Sequence, residues 1–151
     1  MTLAIDLSLA TLHHLAILTV FGTLLAEFAL LRLRPSAAWV ELIARVDLVY
    51  GLAAGVALAA GAARVAWGAR GADFYLGNPV FWLKIALFVT IGLVSLAPTL
   101  TYLRWRRASR ADARLPDASA LAGVRTWIHL QLGLFAGLPV LAAMLARGVG
   151  Y

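Results

Sequence analysis

Four long stretches of this chain are almost free of charge, and that feature settles which solvent the chain must fold in. Between their breakers they run from about 7 to 33, 41 to 67, 79 to 103 and 120 to 146. Each is longer than the roughly 20 apolar residues needed to cross ~30 Å of hydrocarbon. Lipid offers no partner to a backbone N–H or C=O, so a segment of this kind must satisfy its own backbone as a helix. The sequence therefore predicts an all-α polytopic membrane protein, an antiparallel four-transmembrane-helix bundle in which residues 1–151 form a single integral membrane domain. Composition agrees: 13% of the residues are charged and 63% hydrophobic, more apolar surface than a soluble core of this size could cover.

Punctuation marks the ends of the spans. The first stops at Arg34-Pro35-Ser36, because the residue before a proline is pushed out of helical geometry. Asn78 is placed to cap the third, with Pro79 at its first helical position. Pro98 and Pro139 fall inside the third and fourth spans, where each bends the helix or frees a carbonyl four residues back. The one substantial loop is expected to begin at Arg104 and to continue past Arg114 and Pro116. Trp39, Trp67, Trp105 and Trp127 are expected as interface anchors.

Thirteen Lys and Arg against seven Asp and Glu give a net charge of +6. They gather at span ends and in the loop after Arg104, a distribution that reports membrane topology and not a nucleic-acid partner. Arg32, Arg34 and the arginines from Arg104 to Arg114 share one side of the membrane, expected to be cytoplasmic, which puts both termini in the periplasm of a bacterial inner membrane. The first apolar run carries Asp6, His13, His14 and Glu27, so it is expected as a retained helix and not a cleaved signal. The absence of cysteine excludes disulfides, iron–sulfur clusters, c-type haem and thiolate catalysis. No P-loop, dinucleotide fingerprint or His-rich metal spacing is present, and no metal site is expected.

Ionisable groups inside a span are costly and so are candidates for function. Depth, at 1.5 Å per residue, sorts them into two groups. His13 and His14 lie at the level of Lys84, where Tyr75 and Trp82 can join them in an outer cluster suited to a cofactor. Glu27 and His129 share a deeper level, with Arg45, Asp47 and Arg125 nearer the arginine-rich surface, and these five form a proton relay or a structural ion-pair network. A carboxylate beside a histidine in low dielectric is the usual material of such relays. A haem held between a first-span histidine and His129 is disfavoured, because those levels differ by about 18 Å. His13 and His14 point about 100° apart and do not readily share a metal. Asp47, Gly51, Gly55 and Ala59 recur every fourth residue, and such a stripe lets helix backbones approach closely in lipid. Gly51 and Gly55 are therefore expected at a helix-packing surface.

The combination of Tyr50-Gly51, Gly71-Ala72-Asp73-Phe74-Tyr75, Asn78-Pro79-Val80-Phe81-Trp82-Leu83-Lys84, Ser95-x-x-Pro98-Thr99 and Met144-Leu145-Ala146-Arg147-Gly148 resembles a family of small bacterial four-span membrane proteins of unknown function. The likeness covers nearly the whole chain and implies an inner-membrane location without implying an activity. More distantly, a histidine early in the first span and a Lys after an aromatic pair in the third are similar to the layout of the HemJ and CopD-like membrane proteins, which implies tetrapyrrole or copper as ligand.

Three readings stay open at this level. One is a redox or cofactor module holding haem b, a porphyrin or a quinone at His13 or His14, with Tyr75, Trp82 and Lys84 around it. A second is a small proton or solute transporter working through Glu27, Asp47, Arg45, Arg125 and His129. The third is a structural or assembly subunit that meets a second copy or a larger membrane complex along Gly51 and Gly55. The first is preferred on architectural likeness, and whether the chain is an enzyme is left open.

Overall fold

The computed structural model describes residues 3–150. In chain order they form α1 (Leu3–Leu30), α2 (Ala37–Trp67), α3 (Gly71–Leu76), α4 (Pro79–Asp112), α5 (Ala118–Phe135) and α6 (Gly137–Ala146). Four rods, α1, α2, α4 and α5 continued by α6, are long and apolar enough to cross a membrane. Their outward faces carry leucines such as Leu18, Leu52 and Leu93, each more than 60% exposed. Such a surface is untenable in water and ordinary against acyl chains.

The rods stand at the corners of a square. α1 packs on α2, α2 on α4, α4 on α5 and α6, and α5 closes the ring against α1. α1 and α4 therefore face each other across one diagonal, and α2 and α5 across the other. The core between them is built from fully buried side chains of all four, including Leu24, Ile43, Tyr102 and Ile128. The loops 31–36 and 113–117 define an arginine-rich end of the bundle. α3 and the C-terminal turn define the opposite, terminal end.

Local chemistry fixes the element ends. Ser36 caps α2 by accepting from the Trp39 N–H at 3.1 Å, and the Trp39 indole N–H donates to Leu30 O at 2.9 Å, tying the first loop shut. Trp39 is thus a core residue, 5% exposed with its ring tilted against Trp105 at 5.9 Å between centroids, and not the interface anchor expected from sequence. Asn78 caps α4 as predicted, its Oδ1 accepting from Val80 N–H at 2.8 Å. Its Nδ2 also donates to Val149 O at 3.0 Å, which holds the C-terminal turn. The loop expected from Arg104 is helical as far as Asp112. Arg106 and Arg110, four apart on one face of α4, both bond Glu41 of α2 and so carry that helix beyond its apolar part. Pro98 sits buried inside α4 without ending it, whereas the fourth span divides at Ala136. There Pro139 lacks an N–H and its ring crowds the carbonyl of Phe135, the last residue of α5.

Candidate functional site

Inside the bundle, three side-chain hydrogen bonds join residues from all four rods. Tyr102 of α4 reaches across one diagonal to donate its O–H to Glu27 Oε2 of α1 at 3.1 Å. Tyr50 of α2 crosses the other, donating to Gln131 Oε1 of α5 at 3.1 Å. Tyrosine suits both positions because its ring fills apolar space while the hydroxyl at its tip finds a polar partner. Along one edge of the square, Thr99 of α4 donates to Asp47 Oδ1 of α2 at 2.7 Å. Glu27 is 2% exposed and Asp47 7%. Among the described residues no Arg, Lys or His lies within ion-pair distance of either carboxylate. The two acids interact electrostatically with each other instead. Two polar atoms are left over in this interior, Glu27 Oε1 and Gln131 Nε2, each buried with no hydrogen-bond partner. A buried group in that state costs about 1–3 kcal/mol, which favours a water, a proton or a ligand group beside it.

Beside this network a cleft of about 520 Å³ opens between α2 and α4. That volume falls in the range of small-molecule sites, roughly 300–1,000 Å³. Its walls are mostly apolar, from residues such as Leu48, Phe88, Ile91 and Leu96, and its polar lining is Asp47, Tyr50, Ser95 and Thr99, with Arg45 and Arg106. Gly51 and Gly92 also line it, and a Cβ added at either would meet nothing within 4 Å. The missing side chains at these two positions leave the cleft its width.

Sequence-level grouping by depth therefore survives only in part. Glu27 and Asp47 do come within electrostatic range, but the structure does not bring Arg45, Arg125 or His129 to them. Arg125 turns to the end of α1, where its Nε and Nη2 donate to Leu31 O at 3.0 and 2.6 Å. His129 is exposed on the outside of α5, its Nδ1 donating to its own helix at Arg125 O and its ring edge-on to Phe28. Arg45 lies at the cleft. Gly51 and Gly55 are both exposed, because α2 buries the face carrying Ala53, Ala57 and Ala60. Within the chain, then, the glycine stripe packs against no neighbour.

The expected outer cluster is likewise divided. His13 faces α2 and donates from Nδ1 to Ala57 O at 2.8 Å. His14 faces outward, its Nδ1 spent on Ala10 O. Trp82 is 53% exposed and donates to Leu76 O, and Tyr75 sits in an aromatic group with Phe74 and Phe81. His14 keeps an edge-on contact with His13 at 5.9 Å between ring centroids, and Lys84 stays near His13, with Arg64 close to both. A haem needs open space beside its axial histidine and a surface for its propionates. The His13 ring instead rests 3.3 Å from where a Cβ on Gly61 would stand, and its Nδ1 is taken by Ala57 O.

Tyr50, Tyr102, Thr99 and Ser95 escaped the sequence reading as site residues, since uncharged side chains in a span carry no cost that draws attention. A signal was present: on α5, Val124, Ile128, Gln131 and Phe135 recur at helical spacing and all four are buried, so the one polar member of that row faces the core.

Compared with known proteins, the chain matches the family model of the predicted membrane protein DUF2214 over residues 5–150, and it belongs to that family. No curated protein and no solved structure matches it.

Proposed function

We propose that this DUF2214 protein binds a membrane-soluble molecule in the cleft between α2 and α4, one with an apolar chain and a compact hydrogen-bonding head of the quinone class. The observation that carries the reading is a lipid-facing cleft whose otherwise apolar walls hold a carboxylate and three hydroxyl groups at Asp47, Tyr50, Ser95 and Thr99. An acyl chain alone would have no use for them. The protons of those hydroxyls already go to Gln131 Oε1, Gly92 O and Asp47 Oδ1, so a quinone carbonyl would accept from Arg45, while the O–H of the reduced head would donate to the free lone pairs of Tyr50, Ser95 or Thr99. The tail fits the leucine- and phenylalanine-lined remainder. Asp47 and Glu27, without a counter-ion, are groups that hold or move a proton, as a ligand whose oxygens gain and lose protons requires. The chain works as one integral unit of a bacterial inner membrane on this reading. Its arginine-rich end is cytoplasmic by the positive-inside bias and its termini are periplasmic.

Extraction and quantification of quinone from the purified protein, followed by titration with decylubiquinone, tests this directly. Gly51→Leu and Gly92→Leu fill the cleft without touching a polar group and replace a poor helix former with a good one, so they leave the fold intact. Each is expected to weaken decylubiquinone binding at least about tenfold, as is Thr99→Val. Binding unchanged in both glycine variants, or no quinone bound by the wild type, would remove the reading.

A further inference from the structure

The terminal half of the bundle contains the electrostatic opposite of the acidic interior. His13 of α1, Arg64 of α2 and Lys84 of α4 come from three different rods and lie close enough to interact electrostatically with one another. All three are half-buried. Among the described residues no carboxylate lies within ion-pair distance of any of them. The described acids of this end are turned elsewhere: Asp6 accepts from the Ala69 N–H at 3.3 Å, and Asp73 lies exposed on α3.

Two details tie this group to the protein interior. The Arg64 Nε is buried with no hydrogen-bond partner, so the base of the guanidinium is enclosed by protein and holds a donor that nothing in the chain satisfies. The His13 ring is clamped on the same helix, with its Nδ1 on Ala57 O and its edge against Gly61, which leaves Nε2 for another partner. Neighbouring arginines behave differently. Arg70 donates to Leu145 O at 3.2 Å and Ala146 O at 2.8 Å, and its guanidinium stacks on Phe74. Arg70 is satisfied by the protein, while Arg64 is left with an open donor.

From this juxtaposition of three basic side chains around an unpartnered donor we infer an anion site for a phosphate group. Like charges gathered in a low-dielectric bundle repel, and a shared anion turns that repulsion into attraction. A phosphate supplies several strong acceptor oxygens that can be met from several sides at once, by Arg64, Lys84 and the imidazole of His13. The site stands near the terminal end of the spans, a depth at which phospholipid phosphates and dissolved phosphate both lie within reach. It is distinct from the cleft, whose lining includes none of the three residues.

The experiment uses the full chain, purified in mild detergent and exhaustively delipidated. One portion is titrated with inorganic phosphate and the other is returned to phosphatidylcholine vesicles with or without phosphatidylglycerol, and retained lipid is counted by native mass spectrometry. Binding of at least one source by the wild type is expected, with a loss of about tenfold or more in Arg64→Gln and in Lys84→Gln, and near-normal binding in the charge-preserving Lys84→Arg. Phosphatidylglycerol retained without affinity for inorganic phosphate identifies a lipid headgroup, and the reverse identifies a free anion. Should Arg64→Gln fail to fold by circular dichroism, the Lys84→Gln and Lys84→Arg pair decides. Wild-type protein that binds neither source overturns the inference, as does equal binding by Lys84→Gln and Lys84→Arg.

Discussion

Replacing Tyr102 by phenylalanine isolates the contribution of one diagonal of the bundle. The ring, fully buried, keeps its packing, and only the hydroxyl that donates to Glu27 Oε2 is lost. Two magnitudes bear on the outcome. Side-chain hydrogen bonds inside membrane proteins average about 0.6 kcal/mol in double-mutant cycles, with a maximum near 1.7. Leaving a buried acceptor unsatisfied costs about 1–3 kcal/mol. Here the second governs, because Glu27 Oε1 has no partner already and the variant leaves the whole carboxyl group with none. Tyr102→Phe is therefore expected to cost about 1–2 kcal/mol, the overlap of the two ranges. Glu27→Gln should do the reverse of what deletion of a needed charge would do. Its amide oxygen still accepts from Tyr102, and the repulsion from Asp47 disappears, so stability is expected to hold or rise. In a Glu27→Leu background, Tyr102→Phe should cost little, giving a coupling of about 1 kcal/mol. Reversible unfolding of the helical signal by SDS in mixed micelles measures all four proteins. If Glu27→Gln proved more damaging than Tyr102→Phe, the carboxylate would be serving as a charge with a counter-ion, and the reasoning would fail.

Arg125→Gln removes the donors to the carbonyl of Leu31 that close the end of α1, and charge-assisted bonds of this half-buried kind are worth about 1–2 kcal/mol; faster amide exchange confined to the last turn of α1 is the expected signature, and unchanged exchange there would contradict it. Asn78→Ala takes the cap from α4 and the tether from Val149 together, at about 1–2 kcal/mol for the cap alone, and Asn78→Ser should recover most of the cap while leaving the C-terminal turn to exchange freely. The exposed carboxylate of Asp117, which caps α5 by accepting from the Ala120 N–H, is held below its ordinary value of 3.8 by that bond and by the Ser119 hydroxyl. A depressed carboxylate stabilises the fold above its unfolded pKa and stops doing so as pH falls through the folded one. Protection of the first turn of α5 should therefore be flat from neutral pH down to about 4 and decline below it, and Asp117→Ala should abolish that decline.

How much of this was legible beforehand varies residue by residue. The spans were, along with the Asn78 and Pro79 start of α4, because an apolar run of membrane length and a capping pair both act locally. The continuation of α4 to Asp112 was not, since it depends on Glu41, a residue of α2 that sequence cannot place beside Arg106 and Arg110. Depth along each helix was also readable and put Glu27 and Asp47 in the same half of the bundle, with Asp47 nearer the arginine-rich surface. The divergence of His13 and His14 also followed, from their being neighbours on one helix, but which of them meets another rod did not, nor did the rotation that turned His129 away from Glu27.

From the sequence alone follow the solvent, the number of crossings and the height at which each polar group sits, because the bilayer imposes length and charge rules on every segment by itself. Which face of each helix turns inward was decided only by the tertiary structure. In water an amphipathic pattern announces the buried face, whereas between lipid and an apolar core both faces of a helix are hydrophobic and the contrast vanishes. The pairing of Tyr102 with Glu27, Tyr50 with Gln131 and Thr99 with Asp47, and the enclosure of Arg64 beside His13 and Lys84, arise from how the four rods fit together at van der Waals contact.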